Sequence, residues 1–280
     1  MISESEAQEL VESKNLITIG ARADEVRRRL HGTRTTFVRV FEIHVDGPVT
    51  TLPPNASAGE FRIIGAPKSL HAASDAVRKA RAIAANAPLT GFSLEDLLQL
   101  EGASSLRESA RVLREAGLDA VAEAPVDALQ DPVATITAAR EAGLYITRLT
   151  VQAPRDHDRG ELARRARDVQ ESIGGFRAFA PLPRVVSIGS PTTGYDDVKQ
   201  IALARLIADN IESIQVDWQL YGPKLAQFGL TVGADDVDSV SAVDPGTLGT
   251  RRSPLEEIRG NIRSAGLEPV ERNGRFEAID

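Results

Sequence analysis

Three carboxylates stand close together near the end of the chain, in the segment GLTVGADDVDSVSAVD (residues 229–244). Asp235, Asp236 and Asp238 could accept hydrogen bonds from a ribose or another polar ligand. They could equally cap the following loop by accepting backbone N–H bonds, as aspartate commonly does in turns. A metal site is the third alternative. Because the segment has no companion histidine and no firm ligand spacing, we predict no metal site.

A second set of ionisable side chains lies in TTFVRVFEIHV (residues 35–45). If this segment is a β-strand, Glu42 and His44 share one face, because side chains alternate along a strand with a period of two. The two could then form an acid/base pair. We predict Glu42, His44 and Asp236 as candidate catalytic residues. The alternative for His44 is a histidine with satisfied hydrogen bonds at a strand end.

Further polar residues follow the predicted strands and are candidates for binding a ligand. Trp218, the only tryptophan, could stack on a purine or fill the top of the fold. The run Asp156-His157-Asp158 looks like a ligand cluster, but a solvated loop with Asp158 as a helix cap explains it better. The predicted ligand-binding residues are Glu123, Arg148, Gln152, Asp217, Trp218, Asp235 and Asp238.

The composition argues against several classes of function. None of the 280 residues is a cysteine, so the chain can form no disulfide, thiolate nucleophile or cysteine-ligated iron–sulfur cluster. A net charge of -7 disfavours binding to nucleic acid. The apolar runs are shorter than the roughly 18–20 residues of a membrane helix, and the polar start MISESEAQEL is unlike a secretory signal. We therefore predict a cytoplasmic protein that binds neither nucleic acid nor a membrane.

The elements that must position these residues alternate between strand and helix. The segments LREAGLDA (113–120), AREAGLYI (139–146) and IRSAGLEP (262–269) each indicate a helix that ends at a glycine. Strand–helix alternation implies a parallel sheet, and eight such units in about 250 residues favour an α/β fold of the (β/α)8 TIM-type barrel. The eight strands are predicted at 35–45, 60–65, 89–93, 120–126, 145–152, 176–182, 213–220 and 230–237.

We predict a single domain, with residues 1–33 as a helical lead-in, 34–244 as the barrel and 245–280 as a C-terminal helix and tail packed on the barrel. Functional groups of such barrels lie at the C-terminal ends of the strands, where the βα loops gather. A closed barrel also puts strands one and eight side by side. We therefore expect the three aspartates at the mouth of strand eight, facing the same cavity as His44.

Several motifs of the second half resemble a known family. They are RARDVQESIGGFRAFAPLP (165–183), IALARLIADNIESIQVDWQLYGPKLAQFGLTVGADDVDSV (201–240) and EEIRGNIRSAGLEPVERNGRF (256–276). In this order they resemble the radical S-adenosylmethionine enzymes of futalosine-pathway menaquinone biosynthesis, aminofutalosine synthase and dehypoxanthine futalosine cyclase. The deazaflavin (F420) cofactor synthases are more distant relatives. The resemblance implies a radical-SAM-like barrel.

The chain departs from that family where the cofactor binds. Family members carry a CxxxCxxC motif after the first strand, which holds a [4Fe–4S] cluster, whereas this chain has FEIHVDGPVTTLPPNASAGEF (41–61) there. The glycine-rich loop that holds S-adenosylmethionine in the family is reduced to IIGAPKSL (63–70). We therefore expect no cofactor and no [4Fe–4S] cluster, and these changes put S-adenosylmethionine binding in doubt.

Two functions stay open at this point. The first is a cluster-free, diverged homologue without radical chemistry, which binds a nucleoside-like or menaquinone-precursor ligand or acts as an accessory partner of a catalytic paralogue or of its own copy. The alternative is a barrel enzyme re-used for acid/base hydrolysis or elimination. Its working groups would be Glu42, His44 and the carboxylates of Asp235 to Asp238.

Overall fold

The computed structural model describes residues 2–48, 51–54, 56–153, 159–185, 193–244 and 253–279. The predicted loop cluster Asp156-His157-Asp158 lies outside the described residues. The strands are β1 (Arg34–His44), β2 (Glu60–Ile64), β3 (Leu89–Ser93), β4 (Ala120–Pro125), β5 (Arg148–Val151), β6 (Ala178–Pro183), β7 (Ser213–Asp217), β8 (Asp236–Ser241) and β9 (Glu268–Glu271). The helices are α1 (Glu4–Glu12), α2 (Leu16–His31), α3 (Leu70–Ala84), α4 (Leu94–Leu98), α5 (Leu106–Ala116), α6 (Pro132–Glu141), α7 (Arg159–Ile173), α8 (Gly194–Ile207), α9 (Trp218–Gly229) and α10 (Pro254–Ser264).

Capping side chains fix where several helices begin. Ser105, Asp131 and Ser253 each accept a backbone N–H bond from the residue three positions later. At the end of α5, Gly117 adopts a φ of 111°, a left-handed conformation that glycine reaches without steric cost. The chain can therefore leave α5 and enter β4 within a few residues.

The strands close into a barrel. Strands β1 to β8 each pair in parallel with the next, and β8 pairs in parallel with β1. Outward-facing residues such as Phe37 and Val237 share one buried apolar cluster with helix residues such as Ile201 and Ile258. This architecture confirms the predicted (β/α)8 TIM-type barrel and its single domain.

The lead-in helices pack on the outside of the barrel. Helix α2 lies against α8, and α1 contacts α7 and α8. Within the described ranges, no helix is both long enough and apolar enough to cross a membrane.

The C-terminal segment adds a ninth strand that the sequence analysis did not predict. Strand β9 pairs in parallel with the first residues of β1, with Arg34 opposite Glu268 and Phe37 opposite Glu271. On the same side of β1, pairing with β2 begins only at Val40. Strand β9 therefore lies at the N-terminal end of the barrel, and α10 packs against β1, β8 and β9.

Strand β8 differs from its prediction. The sequence analysis placed it at residues 230–237 because LTV is apolar, whereas the strand runs from Asp236 to Ser241. Leu230 and Val232 are buried in the turn that follows α9, and Gly233 adopts a φ of 119° there. The strand itself carries polar side chains that are buried, so hydrophobic alternation does not reveal it.

Strands β7 and β5 are both shorter than predicted. Strand β7 ends at Asp217, because that side chain caps α9 by accepting the N–H of Leu220. Trp218 is consequently the first residue of a helix. Strand β5 begins at Arg148, three residues after its predicted start.

The turn before β8 gives a test of this backbone arrangement. In Gly233→Ala the new Cβ would stand 2.9 Å from Cβ of Arg205 and 3.1 Å from Cβ of Ala23, at a φ that alanine rarely adopts. We expect the free energy of unfolding, measured by urea denaturation, to fall by about 1–3 kcal/mol. Gly260→Ala is the matched control, because that glycine is exposed in α10 with open space around it. The control should be neutral or raise stability by up to about 1 kcal/mol; equal effects at the two sites would contradict the strained turn.

Candidate functional site

Ion pairs fill the middle of the barrel interior. Asp238 of β8 is fully buried and accepts hydrogen bonds from Nη1 and Nη2 of Arg62 at 2.9 and 2.8 Å. It also accepts a hydrogen bond from Nη1 of Arg148. Because Arg62 belongs to β2 and Arg148 to β5, one carboxylate connects three strands across the interior.

Arg148 does not lie at the mouth, where the sequence analysis expected a ligand-binding residue. It is the first residue of β5, and its side chain points into the barrel with 6% exposed. Its Nε and Nη2 donate to the carbonyl oxygen of Ala122 at 3.0 and 2.7 Å, and its Nη1 donates to Oε1 of Gln215 at 3.1 Å. The guanidinium is therefore committed to partners within the protein.

The charges of the interior set the protonation state of Asp238. Burial by itself would raise the pKa of this carboxyl, but the guanidiniums of Arg148 and Arg62 outweigh it and hold the pKa well below its usual value. Asp238 is consequently ionised, and its charge is matched by hydrogen-bonded cations. Such a carboxylate is suited to holding the barrel together and unsuited to proton transfer near neutral pH.

Asp236 holds the N-terminal end of the barrel. It accepts bonds from Nε and Nη2 of Arg272, both at 2.6 Å, in a bidentate pair. It also accepts from Nε2 of Gln215 at 2.6 Å and from Oγ1 of Thr36 at 2.5 Å. Arg272 follows β9, so this pair fastens the C-terminal segment to the barrel.

Asp235 faces the helices and not the barrel interior. It accepts a hydrogen bond from Nη2 of Arg205 in α8 and another from the backbone N–H of Ile214 at 2.9 Å. Nε2 of His31 in α2 lies 3.3 Å from its carboxylate. Burial raises the pKa of Asp235, although Arg205 and His31 oppose that shift. The carboxylate thus connects the helical layer to β8.

The expected position of the three aspartates at the mouth is therefore wrong. Asp236 is paired with Thr36, and His44 lies eight residues further along β1, so about 26 Å separates the two levels at roughly 3.3 Å per residue. Their strand begins six residues later than predicted, which moves Asp235 and Asp236 to the opposite end of the barrel. Glu42, His44 and Asp236 are not brought together.

Glu42 and His44 do lie at the C-terminal end of β1. Glu42 is half-buried and accepts a long hydrogen bond from Nε2 of Gln219 at 3.5 Å. His44 is exposed, and its side chain makes no hydrogen bond to any residue within the described ranges. The two residues share a strand, as predicted, without forming a hydrogen-bonded pair.

A different arginine marks the mouth, which we define as Asp96, Glu123, Arg184, Asp217 and Ser239. Arg184 directly follows β6, and its side chain is 7% exposed. Its Nη1 donates to Oδ2 of Asp217 at 2.7 Å. Its Nε lies 3.3 Å from Oε1 of Glu123 and its Nη2 lies 3.8 Å from Asp238, and neither nitrogen makes a hydrogen bond to the described residues.

Arg184 was missed by the sequence analysis, although one signal pointed to it. A charged residue stands directly after the apolar run of strand six in FRAFAPLPR (176–184). Polar residues in that position of a parallel barrel lie at the end where the βα loops gather.

The mouth also carries two carboxyl groups on adjacent strand ends. Glu123 is opposite Ser93 in the β3–β4 pair, and its side chain is 26% exposed. Asp96 closes a capping box with Ser93 at the start of α4. Burial raises the pKa of Asp96, and the charge of Glu123 adds to that rise. The pair can accept hydrogen bonds from ligand hydroxyl groups or exchange a proton with them.

The other residues that were predicted at the mouth differ in their burial and in their hydrogen bonds. Asp217 accepts hydrogen bonds from Oγ of Ser239 and from the N–H of Leu220, both at 2.9 Å. Trp218 is half-buried and packs against the apolar cluster. The side-chain Oε1 of Gln152 is buried and lacks a hydrogen-bond partner in the part of the chain that the structure describes. Only Glu123, Gln152, Asp217 and Trp218 of the predicted ligand-binding set lie near the mouth.

The side chains present do not fit an iron–sulfur cluster. A [4Fe–4S] cluster of the implied kind requires three cysteine thiolates, and the chain has no cysteine. At the end of β1 the available donors include the imidazole of His44 and the carboxylates of Glu42 and Asp46, none of which is a thiolate. No group of three or more histidine, aspartate or glutamate residues among the described positions is placed to hold a metal ion.

The interior network leads to a prediction about stability. Asp238→Asn keeps the shape of the side chain but removes the carboxylate that pairs with Arg148 and one of the two carboxylates that pair with Arg62, the other being Glu60. We expect the free energy of unfolding at neutral pH to fall by about 3–5 kcal/mol. Asp75→Asn, at a half-exposed surface pair with Arg78, should change it by about 0.5 kcal/mol or less.

The pH dependence provides a second readout for the same variant. Because the pKa of Asp238 is depressed in the folded state, its contribution is complete above its unfolded pKa of about 3.9 and is lost as the pH falls toward the folded value. The stability gap between the wild type and Asp238→Asn should therefore narrow in acid. A gap that stays constant from neutral pH to about pH 3 would contradict this assignment.

Known proteins match this chain in sequence, mainly in its second half. Residues 177–280 match the model of the CofH/MqnC C-terminal region. Aminodeoxyfutalosine synthase of Streptomyces coelicolor is 34% identical over 137 residues, which cover 41% of this chain and 35% of that enzyme. Cyclic dehypoxanthine futalosine synthase of the same organism is 32% identical over 200 residues, covering 62% of this chain and 50% of that enzyme.

A third relative extends the match into the first half. The 5-amino-6-(D-ribitylamino)uracil–L-tyrosine 4-hydroxyphenyl transferase of Methanococcoides burtonii is 31% identical over 216 residues, covering 69% of this chain and 60% of that enzyme. The chain spans about half the length of the curated relatives that it matches.

Solved structures confirm the fold. Methylornithine synthase (PylB) superposes with a TM-score of 0.66 over 96% of this chain and 94% of that chain, at 13% identity. HydG, a maturase of the [FeFe]-hydrogenase, superposes with a TM-score of 0.63 over 98% of this chain and 75% of that chain, at 14% identity. In sequence and in fold, this cysteine-free chain thus resembles the radical S-adenosylmethionine enzymes of menaquinone and F420 biosynthesis.

Proposed function

We propose that this protein is a cluster-free homologue of those enzymes that binds a small, nucleoside-like ligand at the barrel mouth and performs no radical S-adenosylmethionine chemistry. The observation that carries the proposal is Arg184. Its Nε and Nη2 are buried without hydrogen-bond partners in the described chain, whereas nearly all buried donors in proteins are paired. A ligand oxygen at the mouth would satisfy them, and leaving such a donor unpaired costs about 1–3 kcal/mol.

The neighbouring carboxyl groups narrow the chemistry of that ligand. Glu123 lies beside Arg184, and Asp96 lies close enough to Glu123 to interact with its charge. Both carboxyl groups would repel an anion but can accept hydrogen bonds from hydroxyl groups. The best match is an uncharged ligand that offers both oxygen acceptors and hydroxyl donors. A ribose, and hence a nucleoside-like ligand, has this combination.

The rim of the mouth is apolar. Leu98 ends α4, the helix that follows β3, whereas Val185 and Leu220 come shortly after β6 and β7. The three residues are about half exposed, with fractions of 51%, 51% and 46%. Trp218 is half-buried beside Asp217. An apolar rim around a few fixed polar groups is typical of small-molecule sites, and these side chains would contact the base or ring of the ligand.

Two observations support the proposed absence of radical chemistry, namely the donor set and the interior of the barrel. With no cysteine, the chain supplies no thiolates for the cluster that cleaves S-adenosylmethionine in the family. In addition, Asp238, Arg62 and Arg148 occupy the space below the mouth with mutual ion pairs. A ligand can bind above Arg184 without breaking this network, whereas a deeper position would require disrupting it.

A thermal-shift titration tests the proposal. We expect aminofutalosine or dehypoxanthine futalosine to raise the melting temperature of the purified protein, because a ligand that binds only the folded state stabilises it by RT ln(1 + [L]/Kd). S-adenosylmethionine and 5′-deoxyadenosine are the comparison ligands, and a shift with S-adenosylmethionine alone would contradict the proposal.

Variants at the mouth locate the binding. Glu123→Gln removes a carboxylate acceptor from a partly exposed position and should weaken nucleoside binding about tenfold, the size of one lost charge-assisted hydrogen bond. The matched control is Glu115→Gln on the exposed face of α5, with 65% of its side chain exposed. If none of the four ligands shifts the melting temperature of the wild type, the mouth is not a nucleoside site.

The acid/base alternative has less support. Its predicted working groups are Glu42, His44 and the carboxylates of Asp235 to Asp238. Glu42 and His44 lie at the opposite end of the barrel from Asp235 and Asp236, and Asp238 is paired with Arg62 and Arg148. The remaining pair of adjacent carboxyl groups is Asp96 and Glu123, which belongs to the same mouth. An accessory role beside a cysteine-bearing paralogue stays a prediction from the resemblance, and co-elution of the two proteins is its test.

A further inference from the structure

A second cavity lies at the end of the barrel opposite the mouth. It has a volume of about 420 Å³, within the range of roughly 300–1,000 Å³ that is typical of small-molecule sites. It opens beside the N-terminal ends of β3, β4 and β5. Its walls include Arg114, Asp119, Tyr145, Thr147, Gly274 and Arg275, and we call it the basal cavity.

A short hairpin at the C-terminal end of the chain forms one wall of the basal cavity. Arg272 and Ala278 form an antiparallel bridge, and the backbone and side-chain amides of Asn273 donate to Glu277 at 2.8 and 2.7 Å. The guanidinium of Arg272 lies 3.9 Å from the centroid of the Phe276 ring. Because Arg272 also pairs with Asp236, the hairpin is fixed to the barrel.

Gly274 brings the hairpin against the barrel wall. A Cβ at this position would stand 3.0 Å from Cγ of Glu60 and 3.0 Å from Cβ of Pro88. The close approach leaves the cavity between the next residue, Arg275, and the ends of β4 and β5. The basal cavity thus lies between the hairpin, which Arg272 fixes to the barrel, and the strand ends of the barrel itself.

The charges at the basal cavity leave an excess of cations. Asp119, the one carboxylate that lines it among the described residues, already pairs with Nη2 of Arg81 at 2.6 Å and with Nη1 of Arg114 at 3.4 Å. Its Oδ2 also accepts the N–H of Leu89 at 2.9 Å. Arg275 is exposed, and no carboxylate in the described chain pairs with its side chain. An anion in the cavity would find a guanidinium whose charge is not matched.

Tyr145 offers an aromatic face at the same place. Tyr145 is 66% exposed, but its backbone N–H and carbonyl are both hydrogen-bonded. Its N–H donates to the carbonyl oxygen of Asp119 at 3.2 Å, and its own carbonyl oxygen accepts from Val121 at 2.9 Å. A ring held on a rigid backbone can contact a planar ligand with little loss of conformational entropy.

We propose that the basal cavity binds a small anion that carries a planar ring. Arg275 and Arg114 pair with the anionic group, and Tyr145 contacts the ring. This site is separate from the mouth and does not depend on the function proposed there. It lies at the end of the barrel that rarely carries catalytic residues, so its ligand would act on the stability or regulation of the protein.

Calorimetric titration of the full chain tests the proposal with two sources of this chemistry. Benzoate represents an aryl carboxylate, and adenosine 5′-monophosphate represents a ring that carries a phosphate. Adenosine lacks the charge and inorganic phosphate lacks the ring. We expect one of the two ringed anions to bind at least about tenfold more tightly than adenosine or phosphate, because charge-assisted and ring contacts both contribute.

Substitutions at exposed positions locate the bound anion without threatening the fold. Arg275→Gln and Tyr145→Ala should each weaken the binding of that anion about tenfold or more, while circular dichroism and the melting temperature stay at wild-type values. Arg259→Gln, at an arginine of α10 that pairs with Glu256, is the matched control and should retain wild-type affinity. Glu123→Gln should also bind the anion normally, which separates this site from the mouth.

Two results would overturn the proposal. One is the absence of binding of either ringed anion below about 1 mM. The other is wild-type affinity in either Arg275→Gln or Tyr145→Ala.

Discussion

The ion pairs around Asp238 are the interaction on which this barrel depends. A carboxylate in a protein interior costs several kcal/mol unless cations with good hydrogen-bond geometry match it, and Arg62 and Arg148 supply that match from two other strands. A buried guanidinium likewise costs several kcal/mol unless a hydrogen-bonded carboxylate matches its charge. Strands β2, β5 and β8 are therefore connected by charge across the interior, and a barrel that lacks Asp238 leaves the buried guanidinium of Arg148 without a hydrogen-bonded carboxylate among the described residues.

This arrangement leaves the two ends of the barrel as the places where we propose that small molecules bind. The interior between β2, β5 and β8 is occupied by side chains that pair with one another. At the upper end the network finishes at Arg184, whose hydrogen bonds are incomplete. At the lower end it finishes at Asp236, which binds Arg272 and so draws the C-terminal segment into place as β9. The added strand and hairpin thus follow from the same charge matching.

The sequence predicts the parts of this structure that local signals determine. Seven of the eight strands and the helix end at Gly117 follow from hydrophobic pattern and backbone preference within a few residues. Strand β8 was displaced because its residues become suitable for burial only through arginines that lie 176 and 90 positions away. The same non-local origin explains why Arg148 was assigned to the mouth and Arg184 was overlooked. Four of the seven predicted ligand-binding residues do lie near the mouth, because the order of strands and helices is enough to place the C-terminal strand ends at that face of the barrel.

Arg184 connects the scaffold to the mouth, and this sets a limit on what the mouth can bind. Its guanidinium is near Glu123, Asp217 and Asp238, so its charge already contributes to the balance that keeps the interior ionised. A strongly anionic ligand would compete with those carboxylates for the same cation and would weaken the network beneath it. A neutral ligand with oxygen acceptors takes up only the unused N–H groups and leaves the charge balance intact. The electrostatics of the interior therefore favour the neutral, hydroxyl-bearing ligand that we propose for one end of the barrel, while Arg275 of the hairpin favours the anion that we propose for the other.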